Sequence, residues 1–161
     1  MLIKLSTDKT VSETAAALQT AVQANYFGVM QVHNLKETMA KKGVEFAREC
    51  LIFEVCQPQQ AKKVRDQSMS VSTALACRIS TYEENGKTIL ASLKPTALLA
   101  MFNMPQLKGV AQKVEDTIVR IMNEATAGRL AGLRPPSHRP VPSYQQRLAP
   151  AKGEFRIQFL T

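Results

Sequence analysis

What this 161-residue chain lacks narrows its chemistry before any residue is placed. Its seven glycines form no phosphate-binding loop, nucleophile elbow or dinucleotide fingerprint. Nucleotide-dependent and serine-hydrolase chemistry therefore have no motif to rest on. No Cys-x-x-Cys or His-x-x-x-His pair occurs, so the close ligand spacing of a zinc site is missing too. No apolar run approaches the roughly 20 residues that span a bilayer. Met1 to Leu5 gives way at once to Ser6-Thr7-Asp8-Lys9-Thr10, which leaves no apolar core for a signal peptide. A soluble, cytoplasmic protein with no membrane span is expected. The three cysteines, Cys50, Cys56 and Cys77, are an odd number in a chain long enough to build a core without disulfides, so reduced thiols are the default.

Acid is also scarce: 13 Asp and Glu stand against 21 Lys and Arg, for a formal charge of +8. That excess is not spread evenly. From Gly128 onward six basic residues face the single acid Glu154, so five of the eight net charges fall there. Five of the eight prolines (Pro135, Pro136, Pro140, Pro142 and Pro150) lie in the same segment, which has no apolar period. Residues 128–161 are expected to form a basic, proline-rich tail behind a domain at 1–127. Glu154-Phe155 matches a frequent cloning site read in frame, which sets the last residues aside from functional argument. The tail's arginines with Tyr144 could meet RNA or an acidic membrane, but such termini are commonly just solvated, and nucleic acid is disfavoured as a partner.

The body of the chain is patterned. Leu2 to Leu5 suits a first strand. Thr10-Val11-Ser12-Glu13 is a capping box, and Val11, Ala15, Leu18 and Val22 then recur at helical spacing. Phe27 to His33 reads as a strand, and Asn34 opens a helix that carries Leu35 and Met39 inward and stops at Gly43. Leu51 to Val55 is apolar apart from Glu54, as in a strand buried on most of its surface. Pro58 fits the first position of a short helix, so Cys56 precedes a strand-to-helix turn. Val71 to Tyr82 alternates as a strand would, and Asn85-Gly86 is a strong hairpin signal. That hairpin sets Glu84 against Lys87, Tyr82 against Ile89 and Cys77 against Lys94. Pro95 opens a further helix, and after Asn103-Met104-Pro105 a long amphipathic helix runs from Leu107 to Ala125. The expected fold is α+β: a single compact domain, an antiparallel or mixed sheet packed against helices, in the order βαβαβαββαα.

Over residues 1 to about 125 the chain resembles the domain-of-unknown-function family 302. The resemblance is carried by Val11-Ser12-Glu13-Thr14, Tyr26-Phe27-Gly28-Val29, Val55-Cys56-Gln57-Pro58 with Ala61, Ala76-Cys77-Arg78-Ile79, and the Glu83 to Lys87 hairpin. It implies a small α+β fold, a tendency to form homodimers, and a match of Cys56 and Cys77 to the family's cysteine positions. It implies no established reaction. The family usually writes Cys-Asn-Pro and Pro-Cys where this chain has Cys56-Gln57-Pro58 and Ala76-Cys77.

Cys56 and Cys77 are the candidate catalytic residues. A thiol just before a helix start is expected to have its pKa lowered by the dipole and free amides, whereas one in mid-strand on an apolar face has it raised. One attacker and one resolver are what thiol, redox or sulfur-carrier chemistry needs, with a small sulfur donor as partner. Free cysteine also packs as a small hydrophobe, and Cys50 is expected in the core. His33 is the candidate metal ligand, able to join the thiols around zinc, copper or haem iron; a solvated strand end is the plainer reading. Glu54 is either a buried general base or the ion-pair partner of Arg78 or Arg48. Met101, Met104 and Met122 with Phe102 and Leu107 are helix core or, where exposed, a dimer or ligand face. Two alternatives to thiol chemistry stand beside it: a non-catalytic haem, metal or apolar-ligand module, and a structural or interaction protein.

Overall fold

A computed structural model describes residues 1–74 and 76–127. In order it contains β1 (Leu2–Thr7), α1 (Val11–Ala24), β2 (Gly28–Asn34), α2 (Leu35–Ala40), β3 (Cys50–Cys56), α3 (Pro58–Gln67), a 3-10 helix (Met69–Ala74), β4 (Cys77–Glu84), β5 (Lys87–Leu93), α4 (Pro95–Ala100), a second 3-10 turn (Pro105–Leu107) and α5 (Lys108–Thr126). The five strands form one sheet in the order β1-β5-β4-β3-β2, antiparallel throughout. The α+β class and the element order follow the sequence pattern.

Local chemistry explains the boundaries. The Thr10 hydroxyl accepts from the Glu13 amide at 3.2 Å and the Glu13 carboxylate accepts from the Thr10 amide at 2.9 Å, so α1 starts with its first donors satisfied. Asn85 and Gly86 have φ of 53° and 72°, the left-handed pair of a type I′ turn, and this fixes Glu84 opposite Lys87 and Tyr82 opposite Ile89.

One face of the sheet is covered. Leu18 and Val22 of α1, Ile118, Ile121 and Met122 of α5, and Phe53, Val55, Ile79 and Leu90 of the sheet form one core cluster. Each large side chain there contributes roughly 1.5–3 kcal/mol by leaving water. A second, smaller cluster joins Val64 of α3, Val71 and Leu107, with Leu99, Phe102 and Met104 packed on it. The opposite face of the sheet carries Lys4 against Glu84 at 2.6 Å, Glu54 between His33 and Arg78, and the exposed pair Leu2 and Leu93.

Two expectations need correction. The strand expected over Val71 to Tyr82 begins only at Cys77; Met69–Ala74 is a 3-10 helix. Val71 there is fully buried against Val64 and Leu107, and this tertiary anchor outweighs an alternation built from Ser, Thr and Ala. Cys50 is half-buried rather than core, because it pairs with Tyr82 and shares the outer face with Ile52 and Glu54. Among the methionine-rich set, Met122 and Leu107 are buried whereas Met101 is exposed. The tail expected from Gly128, with Tyr144, lies outside the described residues.

Candidate functional site: a pocket lined by two thiols

β3 and β4 are neighbours, and Val55 lies opposite Cys77. Cys56 is the next residue of β3 and its last, so the two cysteines sit on adjoining strands at one end of the sheet. In a regular ladder successive side chains alternate between faces, but at Cys56 the chain leaves the sheet for α3. Both cysteines line a single small pocket, closed by Ala61 and Val64 of α3, Leu98 and Leu99 of α4, and Val114 of α5. Its volume is about 40 Å³. That is room for a few water-sized groups, since one water needs roughly 10–15 Å³ of such space.

The electrostatics of the thiols differ from what the helix start suggested. Burial pushes Cys56 above the ordinary thiol range, partly offset by the positive charge of Arg65. At the start of α3 the Gln57 side-chain oxygen accepts from the Gln60 amide at 2.6 Å, and Pro58 has no amide to give. Burial and then the neighbouring Cys56 push Cys77 further, to about 11. Cys56 is therefore the easier of the two to ionise, and Cys77 stays a neutral thiol at physiological pH. All three cysteines are free.

The structure does not bring His33 to this pocket. His33 pairs with Ile52, four residues before Cys56, which is about 13 Å along the strand. Its Nε2 lies 3.3 Å from Glu54 Oε1, and the same oxygen accepts from Arg78 Nε at 3.2 Å and Nη2 at 3.0 Å. Glu54 is thus an ion-pair partner of Arg78, as one of its two sequence readings held. Among the described residues no three His, Cys, Asp or Glu side chains converge as a metal site. The thiol pocket is also far too small for a haem. No described helix is long and apolar enough to cross a membrane.

Sequence reasoning found the cysteine pair but not the walls that enclose it. Leu98, Leu99 and Val114 read as ordinary helix core, and no local pattern tells that α4 and α5 close over the end of β3.

Comparison with known proteins agrees with the geometry. A family model described as "Domain of unknown function DUF302" matches residues 3–125. A solved structure, that of the uncharacterized conserved protein DUF302 from Bacillus stearothermophilus, is 30% identical with a TM-score of 0.73, and the likeness covers 77% of this chain and 97% of that one. No curated protein matches the chain.

Proposed function

The chain belongs to the DUF302 family, a domain of unknown function, and on that footing we propose that it is a sulfur-carrying thiol module in which Cys56 is the acceptor and Cys77 its buried neighbour. The observation that carries this reading is the shared pocket: two free thiols on adjoining strands border one apolar space of about 40 Å³. One added sulfur atom on Cys56 fits such a space, and apolar walls shield a persulfide from water. Cys77, held neutral, is suited to stand by as a resolving thiol rather than to compete as a nucleophile. Half-buried thiols without disulfides suit a reducing, cytoplasmic setting.

The module is proposed to work as a homodimer, supported by the exposed Leu2 and Leu93 side by side on the sheet face opposite the main core. Sedimentation equilibrium showing only a monomer at tens of micromolar would remove that part.

The test of the chemistry is mass spectrometry after brief exposure to a persulfide donor or dilute peroxide. Modification of Cys56 ahead of Cys50 is expected. Modification of neither Cys56 nor Cys77 faster than Cys50 overturns the reading.

A second reading has its own observation. A groove of about 540 Å³ between α4 and α5, lined by Leu99, Ala100, Met104 and Ala111 with Lys108 and Gln112 at hand, is of a size that takes a small apolar ligand. Binding of a fluorescent fatty acid that is unaffected by replacing both Cys56 and Cys77 with serine would favour it.

A further inference from the structure

A second recess adjoins the thiol pocket. It measures about 200 Å³ and shares Phe27, Gln57, Gln60 and Val114 with the pocket's wall, so the same four residues border both spaces. The remaining lining is Asn25, Tyr26, Lys113 and Thr117. Two properties set this recess apart. Lys113 is its only charged residue, no acid lines it, and Lys113 forms no ion pair among the described residues. The adjoining pocket is mostly apolar and is lined by both cysteines. A ligand that fits both spaces is therefore short, uncharged at the end that enters and negative at the end that stays outside.

The backbone at the rim is also unusual. The Phe27 amide donates to the Val22 carbonyl at 3.0 Å and the Tyr26 amide to the Gln23 carbonyl at 3.1 Å, which is the Schellman pattern closing α1. Its left-handed position is normally glycine, yet here it is Tyr26, with φ of 59° and a side chain exposed beside the recess. A tyrosine held at a position that favours glycine places an amphipathic ring at the rim.

We propose that the donor to this site is a small aliphatic hydropersulfide carrying a carboxylate, whose anionic end is held by Lys113 in the recess while its terminal sulfur reaches Cys56. This rests on the sulfur-carrier reading of the thiol pocket. In the step, the Cys56 thiolate attacks the terminal sulfur of the donor. A new S–S bond forms to Cys56, the donor's S–S bond breaks, and its electron pair leaves with the donor's inner sulfur, which takes a proton from water. The products are the Cys56 persulfide and the donor's parent thiol, with no outside oxidant or reductant. Arg65, whose positive charge is felt at Cys56, assists the attack by favouring the thiolate.

The test compares two donors of equal length, the hydropersulfides of 3-sulfanylpropanoate and of 3-sulfanylpropan-1-ol, by the rate at which Cys56 gains one sulfur atom in intact-mass and peptide spectra. The expected result is loading about tenfold faster from the anionic donor, with the ratio falling to near one in Lys113→Gln and inverting in Lys113→Glu. Lys113 is exposed, and unchanged melting of both variants will show that they fold. Equal loading by the two donors in the native protein, or a preference that survives Lys113→Glu, overturns the donor class and leaves the carrier reading standing. No loading of Cys56 by either donor overturns both.

Discussion

Val55 lies directly opposite Cys77 across the β3–β4 ladder, which puts Cys56 one step from that pair, and both cysteines border the same space. The consequence is an ordered reactivity. Cys77 is pushed up to about 11, so its thiolate is rare at neutral pH, whereas Cys56 is raised by burial and partly relieved by Arg65. Iodoacetamide at pH 8 is expected to label Cys56 about tenfold or more faster than Cys77. Equal labelling, read by peptide mass spectrometry, would contradict this order.

The same burial links Cys77 to stability. Its thiol ionises near 9.0 in the unfolded chain but only near 11 when folded, so the folded state holds the proton more tightly. The stability owed to this group is complete below pH 9 and falls as pH rises from 9 to 11, by roughly 2 to 3 kcal/mol in full. Urea melts at pH 8 and pH 10.5 on the native protein and on Cys77→Ala should show a smaller alkaline loss in the variant. Identical losses would mean the thiol ionises in the folded state as easily as in the unfolded one.

Gln57 caps α3 through a single bond to the Gln60 amide. Gln57→Ala should cost about 1 kcal/mol by leaving that donor unpaired, and Gln57→Asn should stabilise, since the shorter amide is the better cap. Denaturant midpoints of the two variants moving in the same direction would count against the capping role.

Tyr26→Gly relieves a left-handed backbone at the end of α1 and should raise stability by about 1 kcal/mol. On the donor proposal it should at the same time slow sulfur loading of Cys56, because the ring at the rim is lost. A gain in melting temperature with no change in loading would leave Tyr26 without a part at the recess.

Thr81 is fully buried and its hydroxyl has no hydrogen-bond partner among the described residues. Thr81→Val keeps the shape, removes an unpaired polar atom and should stabilise by about 1 kcal/mol, as judged by urea midpoint. Destabilisation would indicate a partner for the hydroxyl, such as a buried water.

Much of this could be read from local sequence because its causes are local. The Thr10–Glu13 box, the Asn85-Gly86 turn and Pro58 at the start of α3 each act within a few residues, and each stands where the sequence put it. The 3-10 helix around Val71 was hidden because its cause is distant: Leu107 and Val64 hold Val71. The site divides in the same way. Cys56 and Cys77 were visible as residues, but their adjacency came from strand order. The rise of Cys56 came from burial beside walls supplied by α3, α4 and α5.

Strand order also dictates a timetable. β2, β3, β4 and β5 pair with sequence neighbours, whereas β1 pairs only with β5, Leu2 meeting Leu93. During synthesis the first strand must therefore wait, unpaired, until some ninety further residues have been made. Such long-range closure slows folding, and it leaves Leu2, Ile3 and Leu5 open to other chains in the meantime. Arrest of translation before β5 should release an aggregation-prone fragment, even though that fragment already contains the whole of the cysteine-bearing strands β3 and β4.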